Sequence, residues 1–290
     1  MSLRLYIFIS SLLSTFLVNT NVQSQSYDHR IINASIQEGL SSEYINSIYQ
    51  GKDGFIWVST KRGVDRYDGY KFTPIELPDS LSFGAAEHFM IDKSGRKYIS
   101  TENEGIIVIN NDLTSWKIYK TNAFGEKFYL PSIFEDSKNN IWILSYGQGL
   151  SHLDVESEQL TSYVHSDTTS NSIGDNQIYQ MVEGPNGMLW LGTENGGLVR
   201  FNPETREFKN YQNDPKDKLS IPGNKSYGLV VDDDKIWISL YLTGLCLFDI
   251  EKETFTLFSA DDDDPQSLSS NFLWPLDLDE DKGLWIGTQD

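Results

Sequence analysis

One short phrase recurs along this chain of 290 residues and limits what the chain can fold into. In its clearest form the phrase is GMLWLGTENGGLVR, residues 187–200, which is typical of a short strand, a turn that contains glycines and a second short strand. Related phrases begin at residues 55, 96, 140, 235 and 283. A unit repeated in this way indicates a repeat architecture, in which each unit buries its apolar face against its neighbour.

The spacing of the repeat predicts the fold class. The central aromatic residue of the phrase recurs 41 to 48 residues apart, at Trp57, Tyr98, Trp142, Trp190, Trp237 and Trp285. A four-stranded blade of a β-propeller needs about 40–50 residues. We therefore predict an all-β fold, a β-propeller with five complete four-stranded blades and the first half of a sixth, in an incomplete ring. The predicted blades lie near residues 39–79, 80–122, 123–173, 174–221, 222–270 and 271–290.

The fourth repeat illustrates how each blade is divided. Strand-like pieces cover residues 177–182, 188–193, 198–201 and 207–211, and turn residues separate them. Because Trp190 and its equivalents occupy one strand position, we expect them to pack between neighbouring blades instead of contacting a ligand.

The first 24 residues are typical of a secretory signal peptide. Arg4 is the only charged residue before Asp28, and residues 5–18 form an apolar run that is short for a membrane span. We expect cleavage near Ser24, which leaves a propeller of residues 25–290 outside the cytoplasm; an uncleaved anchor is the alternative. Residues 29–34 look like an outer strand without a blade of its own, and the last repeat has only two strands. We therefore expect this chain to be an N-terminal fragment of a longer protein.

Composition and motifs exclude several functions. A formal net charge of −19 opposes binding to nucleic acid. The single cysteine, Cys246, permits no internal disulfide, and the four histidines lack the spacing of a metal site. The acidic segment 277–283 does not fit a calcium loop, so we expect a turn there. We find no catalytic motif and predict no metal and no cofactor; His88, on an inner strand, is the one candidate for an enzyme.

The geometry of a propeller predicts where a ligand would bind. The loops that precede the first strand of each blade open on the same face as the loops between its second and third strands. Aromatic, amide and charged side chains at one mouth of the channel would suit a sugar or a peptide, although the same tyrosines could instead pack along the inner strands. The candidate ligand-binding residues are Tyr44, Arg62, Asn103, Tyr129, Tyr146, Tyr179, Glu194, Asn195, Tyr227, Tyr241 and Trp274.

The repeated phrase resembles the two-component regulator propeller repeat. The resemblance rests on residues 53–60, DGFIWVST, on residues 186–193, NGMLWLGT, and on the opening segment from Glu38 to Phe72. It covers about residues 27–290. It implies the sensor region of a hybrid two-component protein, located in the periplasm and anchored in the inner membrane, that detects glycans or their breakdown products. It also implies a histidine kinase and response regulator further along the same polypeptide, of which this chain carries no motif.

Three functions remain open at this point. The first is a non-catalytic extracytoplasmic sensor that binds an oligosaccharide or another small ligand and signals to the kinase module of its own polypeptide, with a homodimer possible in the whole protein. The second is a secreted lyase or hydrolase acting on a polysaccharide or lactone. The third is a propeller that docks other proteins and binds no small ligand. Only the inferred parent protein, and not this chain, is expected to have kinase activity.

Overall fold

The computed structural model of the chain describes residues 35–78, 81–279 and 281–289. Six antiparallel sheets follow one another along this part of the chain, five with four strands and the last with two. Within each sheet every strand pairs with the strand that precedes it in sequence. This meander of four-stranded units confirms the predicted β-propeller class, and the sheets are called blades one to six in chain order.

The strands have the following bounds. Blade one contains β1 (Ile45–Gln50), β2 (Ile56–Thr60), β3 (Gly63–Tyr67) and β4 (Phe72–Pro74). Blade two contains β5 (Ala86–Ile91), β6 (Lys97–Thr101), β7 (Gly105–Ile109) and β8 (Trp116–Tyr119). Blade three contains β9 (Ser132–Glu135), β10 (Ile141–Ser145), β11 (Gly149–Asp154) and β12 (Gln159–Tyr163). Blade four contains β13 (Ile178–Glu183), β14 (Leu189–Thr193), β15 (Leu198–Asn202) and β16 (Glu207–Tyr211). Blade five contains β17 (Ser226–Asp232), β18 (Lys235–Leu240), β19 (Gly244–Asp249) and β20 (Thr254–Phe258), and blade six contains β21 (Leu273–Leu278) and β22 (Leu284–Thr288). Two short 3₁₀ turns lie at Ile36–Glu38 and Pro185–Gly187.

The threonine and the last glycine of the repeated phrase close the turn between the second and third strands. In blade four the hydroxyl of Thr193 donates a hydrogen bond to the carbonyl of Gly197 at 2.9 Å. Gly197 has a positive φ of 71°, and a Cβ there would lie 2.1 Å from the carbonyl oxygen of Tyr211. Only glycine therefore permits this turn to lie against the fourth strand.

The hydrophobic core consists of layers between consecutive blades. In blades one to five the central aromatic residue of the repeat is buried against the next blade, as predicted. The ring centroid of Trp57 lies 4.8 Å from that of Phe89, that of Trp142 lies 5.3 Å from that of Phe201, and that of Trp190 lies 5.4 Å from that of Phe248. Tyr98 occupies the same position in blade two and is completely buried in the layer between blades two and three. Blades one to five thus depend on their neighbours for the burial of this large side chain.

In some blades the central aromatic residue donates a hydrogen bond to an aspartate six residues before it, and we call this interaction the clasp. Other blades have no aspartate at this position. In blade three Asp136 accepts hydrogen bonds from the indole N–H of Trp142 at 2.9 Å and from the backbone N–H of Asn140 at 2.8 Å. Equivalent bonds join Asp92 to Tyr98 and Asp279 to Trp285, both at 3.0 Å. In blades one and four the same turn position is Gly51 or Gly184. There the buried indole N–H groups of Trp57 and Trp190 have no hydrogen-bond partner among the described residues.

Each described blade packs against the next one along the chain, whereas blades one and six do not pack extensively against each other, so the described blades form an open arc. At one end, Ile45 and Ile48 of blade one are 48% and 67% exposed, and at the other end Trp285 is 50% exposed. No helix among the described residues is long and apolar enough to cross a membrane. The predicted signal peptide and the predicted outer strand at residues 29–34 lie outside the described residues.

Candidate functional site

A bulge near the start of the first strand shapes one edge of several blades, which we call the rim. In blade four the register shifts by one residue between Ile178 and Gln180, so Tyr179 has no partner in the ladder. The same shift leaves Tyr227 unpaired in blade five and occurs between Leu273 and Leu276 in blade six. A bulge re-aims the side chain of its extra residue. Accordingly, the ring of Tyr227 lies 4.3 Å from that of Tyr179 and 5.0 Å from that of Trp274, so bulge residues of neighbouring blades touch each other.

The turn after the second strand is joined to the residue that precedes the first strand. The backbone N–H of Tyr146 donates to the carbonyl of Tyr129 at 3.0 Å, and the N–H of Tyr241 donates to the carbonyl of Lys225 at 2.9 Å. In blade four the same bond runs from Glu194 to Gln177 at 3.0 Å. The two sets of loops that the sequence analysis combined therefore meet at one rim. Blades four and five add a bulge residue there, whereas the first strand of blade three pairs without a register shift.

Aromatic rings form a continuous row along this rim from blade three to blade six. The ring centroid of Tyr129 lies 6.0 Å from that of Tyr146, which in turn lies 6.4 Å from that of Tyr179. Beyond Tyr227, Tyr241 lies 4.9 Å from Tyr227 and 4.6 Å from Phe272. We call this row the aromatic belt; its members are Tyr129, Tyr146, Tyr179, Tyr227, Tyr241, Phe272 and Trp274.

One carboxylate organises the centre of the belt. Glu194, whose side chain is only 16% exposed, accepts hydrogen bonds from the hydroxyls of Tyr179 and Tyr227 and from the ammonium of Lys225, the latter at 2.5 Å. Burial acts to raise the pKa of Glu194, but the hydrogen bonds from Lys225 and Tyr179 outweigh it and the pKa falls below its ordinary value. Glu194 is therefore ionised at neutral pH, and its charge is balanced by Lys225, whose pKa it raises.

The rim of blades one and two has a different chemistry. Their bulge residues are Asn46 and Glu87, and the residues that follow their second strands are Lys61 and Glu102. We call these four residues the polar sector. Burial, together with the nearby charge of Glu102, raises the pKa of Glu87, while the charge of Lys61 acts in the opposite direction. The polar sector therefore brings two carboxylates and one cation to the rim, whereas the belt presents mostly ring surface.

Most of the sequence-predicted residues come together, and some do not. The belt and the network around Glu194 contain seven of them: Tyr129, Tyr146, Tyr179, Glu194, Tyr227, Tyr241 and Trp274. Tyr44 instead lies beneath the ammonium of Lys61 at 4.5 Å. The backbone N–H of Asn195 donates to Asp175, and within the described part of the chain no hydrogen bond or ring contact joins the side chain of Arg62 or Asn103 to the belt.

Sequence reasoning missed Asn46, Glu87, Lys225 and Phe272. The distance in sequence from the central aromatic residue points towards the two bulge residues, although this distance is ten residues in blade five, from Tyr227 to Trp237. Asn46 and Glu87 lie eleven residues before Trp57 and Tyr98, as Tyr179 lies eleven before Trp190. Lys225 forms its ion pair with Glu194 of the preceding blade, and no repeated spacing in the sequence indicates this contact.

Other candidate sites have weaker support. A half-buried imidazole, His88, is paired across strands with Ser100, and burial lowers its pKa to about 4. The thiol of Cys246 is fully buried, which raises its pKa to about 12. No cluster of three metal-ligating side chains exists among residues 35–78, 81–279 and 281–289.

Two cavities, of about 650 and 580 Å³, lie away from the rim. One is lined by Arg200 and the other by Arg96. Both arginines already have acidic partners, Glu253 at 3.6 Å and Glu156 respectively. The two arginines therefore already have their charges balanced, and neither cavity is lined by a row of aromatic rings like that of the rim.

Comparison with known proteins agrees with the fold and the repeat. A family model described as two-component regulator propeller matches residues 39–62 and 172–195, within blades one and four and the segments that precede them. A histidine kinase of Formosa agariphila is 26% identical over 162 residues, which are 54% of this chain and 12% of that protein. This chain therefore spans about one eighth of the length of that relative.

Two solved structures with the same fold have different functions. The extracellular domain of a protein described as a hybrid two-component system from B. thetaiotaomicron superposes with a TM-score of 0.54 at 19% identity, covering 86% of this chain and 38% of that one. Virginiamycin B lyase from Staphylococcus aureus superposes with a TM-score of 0.60 at 14% identity, covering 84% of this chain and 77% of that one. At such identities the likeness establishes the propeller fold alone.

Proposed function

We propose that this chain, two segments of which match the two-component regulator propeller model, is an extracytoplasmic sensor domain that binds a glycan-derived ligand at its rim. The observation that carries the proposal is the aromatic belt with Glu194 at its centre. Ring faces beside hydrogen-bonding side chains are the usual surroundings of a bound sugar, since the sugar has apolar C–H faces and polar edges.

The proposed output lies beyond this chain. The similarity to a histidine kinase supports a parent protein in which ligand binding at the rim controls a cytoplasmic kinase module. The exposed ends of the arc, where Ile48 and Trp285 lie, would then contact other parts of the parent or a second copy of it. Residues 1–24 would direct the export of the chain, so N-terminal sequencing of the processed protein should begin near residue 25.

Calorimetric titration of the chain against a panel of oligosaccharides tests the ligand. At least one glycan should release heat, and Tyr227→Ala should weaken its binding by about tenfold, because Tyr227 touches three other rings of the belt. Tyr70→Ala is the matched control, since Tyr70 is 87% exposed and lies in a turn between the third and fourth strands, away from the belt. Binding that both variants reduce equally, or no heat with any glycan, would contradict the proposal.

The two alternatives predict different outcomes in the same experiment. The lyase fold neighbour makes it worthwhile to analyse the titrated glycan for cleavage products. Product formation that is lost in His88→Ala would favour an enzyme. A chain that binds no glycan but captures a protein would favour a docking propeller.

A further inference from the structure

The shape of the aromatic belt bears on what kind of glycan it would hold. Its rings follow the rim over four consecutive blades, with neighbouring centroids 4.3 to 6.4 Å apart from Tyr129 to Trp274. This row is several times longer than one pyranose ring. A monosaccharide would cover only a small part of it, whereas a chain of linked sugars would cover successive rings.

The two ends of the belt are open to solvent while its centre is fixed. Tyr129 and Tyr146 are 55% and 42% exposed, and Trp274 is 44% exposed. The central rings, Tyr179 and Tyr227, are partly buried and their hydroxyls are held by Glu194. The middle of the row is thus a fixed platform, and the exposed rings extend it in both directions.

The platform is electrically balanced. The carboxylate of Glu194 is fully engaged by Lys225 and two phenol hydroxyls, and the ammonium of Lys225 also lies 5.6 Å from the ring of Tyr241. The belt therefore presents no uncompensated cation that would recruit a carboxylated or sulfated sugar. Next to it, the polar sector carries two carboxylates against one lysine, and the chain has a net charge of −19. Anionic chains are consequently disfavoured at this rim.

From these observations we infer that the ligand is an extended, uncharged oligosaccharide that lies along the belt across blades three to six. This inference rests on the proposed sugar-binding function. Sugar units at the centre contact Tyr179 and Tyr227, and units further along the chain reach Tyr129 or Trp274. Glu194 is a positioning residue, because it acts on the sugar through the tyrosines that it holds.

A size series of neutral oligosaccharides tests the length. The chain is titrated with gluco-, xylo- and manno-oligosaccharides of two to six units. Affinity for the active type should rise about tenfold or more between two and five units and then level off, as successive rings are covered. A disaccharide that binds as tightly as a hexasaccharide would overturn the inference but leave the proposed function intact.

Variants locate the sugar chain on the belt. Tyr129→Ala should weaken binding of the hexasaccharide about fivefold and leave the disaccharide unchanged, and the retained disaccharide binding shows that the variant is folded. Tyr227→Ala should weaken both, and Tyr70→Ala neither. If Tyr129→Ala has no effect on the hexasaccharide, the proposed path along blade three is wrong.

Charge and partner class are tested with the same assay. A uronic-acid oligosaccharide of equal length should bind at least tenfold more weakly than the neutral one, with the difference reduced at high salt. Tighter binding of the uronic-acid chain, or of a tyrosine-rich peptide, would overturn the inferred ligand class. Absence of binding by every sugar at every length would instead refute the proposed function itself.

Glu194→Gln examines the positioning role. This variant keeps the shape of the side chain but loses the charge that holds Lys225 and both tyrosines. Binding should weaken about tenfold, and the fluorescence or ring NMR signals of Tyr179 and Tyr227 should change in the unbound protein. Unchanged signals and unchanged affinity would show that Glu194 does not position the belt.

Discussion

Blades three and four place the same residue in two different environments. Trp142 and Trp190 are both almost completely buried against the next blade, yet the indole N–H of Trp142 is bound by Asp136 and that of Trp190 has no described partner. Trp190 is held by ring contacts alone, 5.4 Å from Phe248 and 6.0 Å from Tyr211. The repeat is therefore maintained by burial of an aromatic residue, and the hydrogen bond is an addition that some blades lack.

The clasp in blade three should contribute strongly where it exists. Asp136→Ala would leave the buried indole N–H of Trp142 and two backbone N–H groups of the turn without their acceptor. We expect a loss of about 3 kcal/mol in the free energy of unfolding, measured by urea denaturation. The control is Asp53→Ala, because Asp53 lies in an exposed turn and accepts one bond from Phe55; it should cost well below 1 kcal/mol. Equal losses would mean that the clasp has no special role.

Transferring the clasp to blade four should fail. A Cβ at Gly184 would lie 2.6 Å from Nε1 and 2.8 Å from Cδ1 of Trp190, so the indole fills the space that the aspartate needs. Gly184→Asp should therefore reduce the free energy of unfolding by about 2 kcal/mol, as overpacking does. The control is Gly84→Asp, where no atom lies within 4 Å of the added Cβ. A stabilised Gly184→Asp variant would show that blade four has room for the clasp.

An ionisable side chain, His88, also has a buried polar atom without a hydrogen-bond partner among the described residues, like the indole N–H of Trp190. His88 of blade two has a buried Nδ1 without a partner among the described residues, and burial lowers its pKa from 6.5 to about 4. Between these values the unfolded chain binds the proton and the folded chain does not, so stability falls as the pH falls. The free energy of unfolding should drop by about 2 kcal/mol between pH 7 and pH 5 on account of this residue.

Comparing pH profiles of two variants isolates that contribution. In His88→Gln the decline between pH 7 and pH 5 should be much smaller, whereas His165→Gln should keep it. The pKa of His165 is raised by hydrogen bonds to the carbonyl of Ile173 and to Asp167, so its effect on stability has the opposite sign. A decline that persists unchanged in His88→Gln would contradict the assignment.

The smallest expected difference concerns the indole nitrogens themselves. Trp142→Phe removes a donor from the carboxylate of Asp136, while Trp190→Phe removes an N–H that has no described partner. Both variants lose similar ring surface, so the former should be less stable than the latter by about 1 kcal/mol. Thermal or urea denaturation of the pair provides the measurement. If Trp190→Phe costs as much, the N–H of Trp190 has a partner, such as an ordered water.

The strands could be predicted from the sequence because each repeat contains the same short apolar segments, separated by the same turn residues. The strands predicted for residues 198–201 and 207–211 match β15 and β16 to within one residue, since glycine, asparagine and proline mark the turns between them. The sequence also shows that the turn position of the clasp is Asp136 in blade three and Gly184 in blade four. It does not show that blade four lacks room for an aspartate, because the space beside Trp190 depends on how its ring packs against blade five.

The candidate site was predictable only in part. Tyrosines near the start of the first strand were found because aromatic residues at that position repeat. Asn46 and Glu87 were missed because the bulge that turns them outward depends on strand pairing, and the composition of a strand does not show its register. The contact of Lys225 with Glu194 joins residues that are 31 positions apart, so only the packing of blade five on blade four brings them together.

The bulge also separates the rim from the core within a single strand. On each side of the unpaired residue the strand alternates normally, so Ile178 and Met181 remain in the core while Tyr179 contributes to the rim. A substitution at Tyr179, Tyr227 or Trp274 should therefore alter the rim without changing the volume of the core. The rim and the core can be varied separately, one blade at a time, although both belong to the same strand.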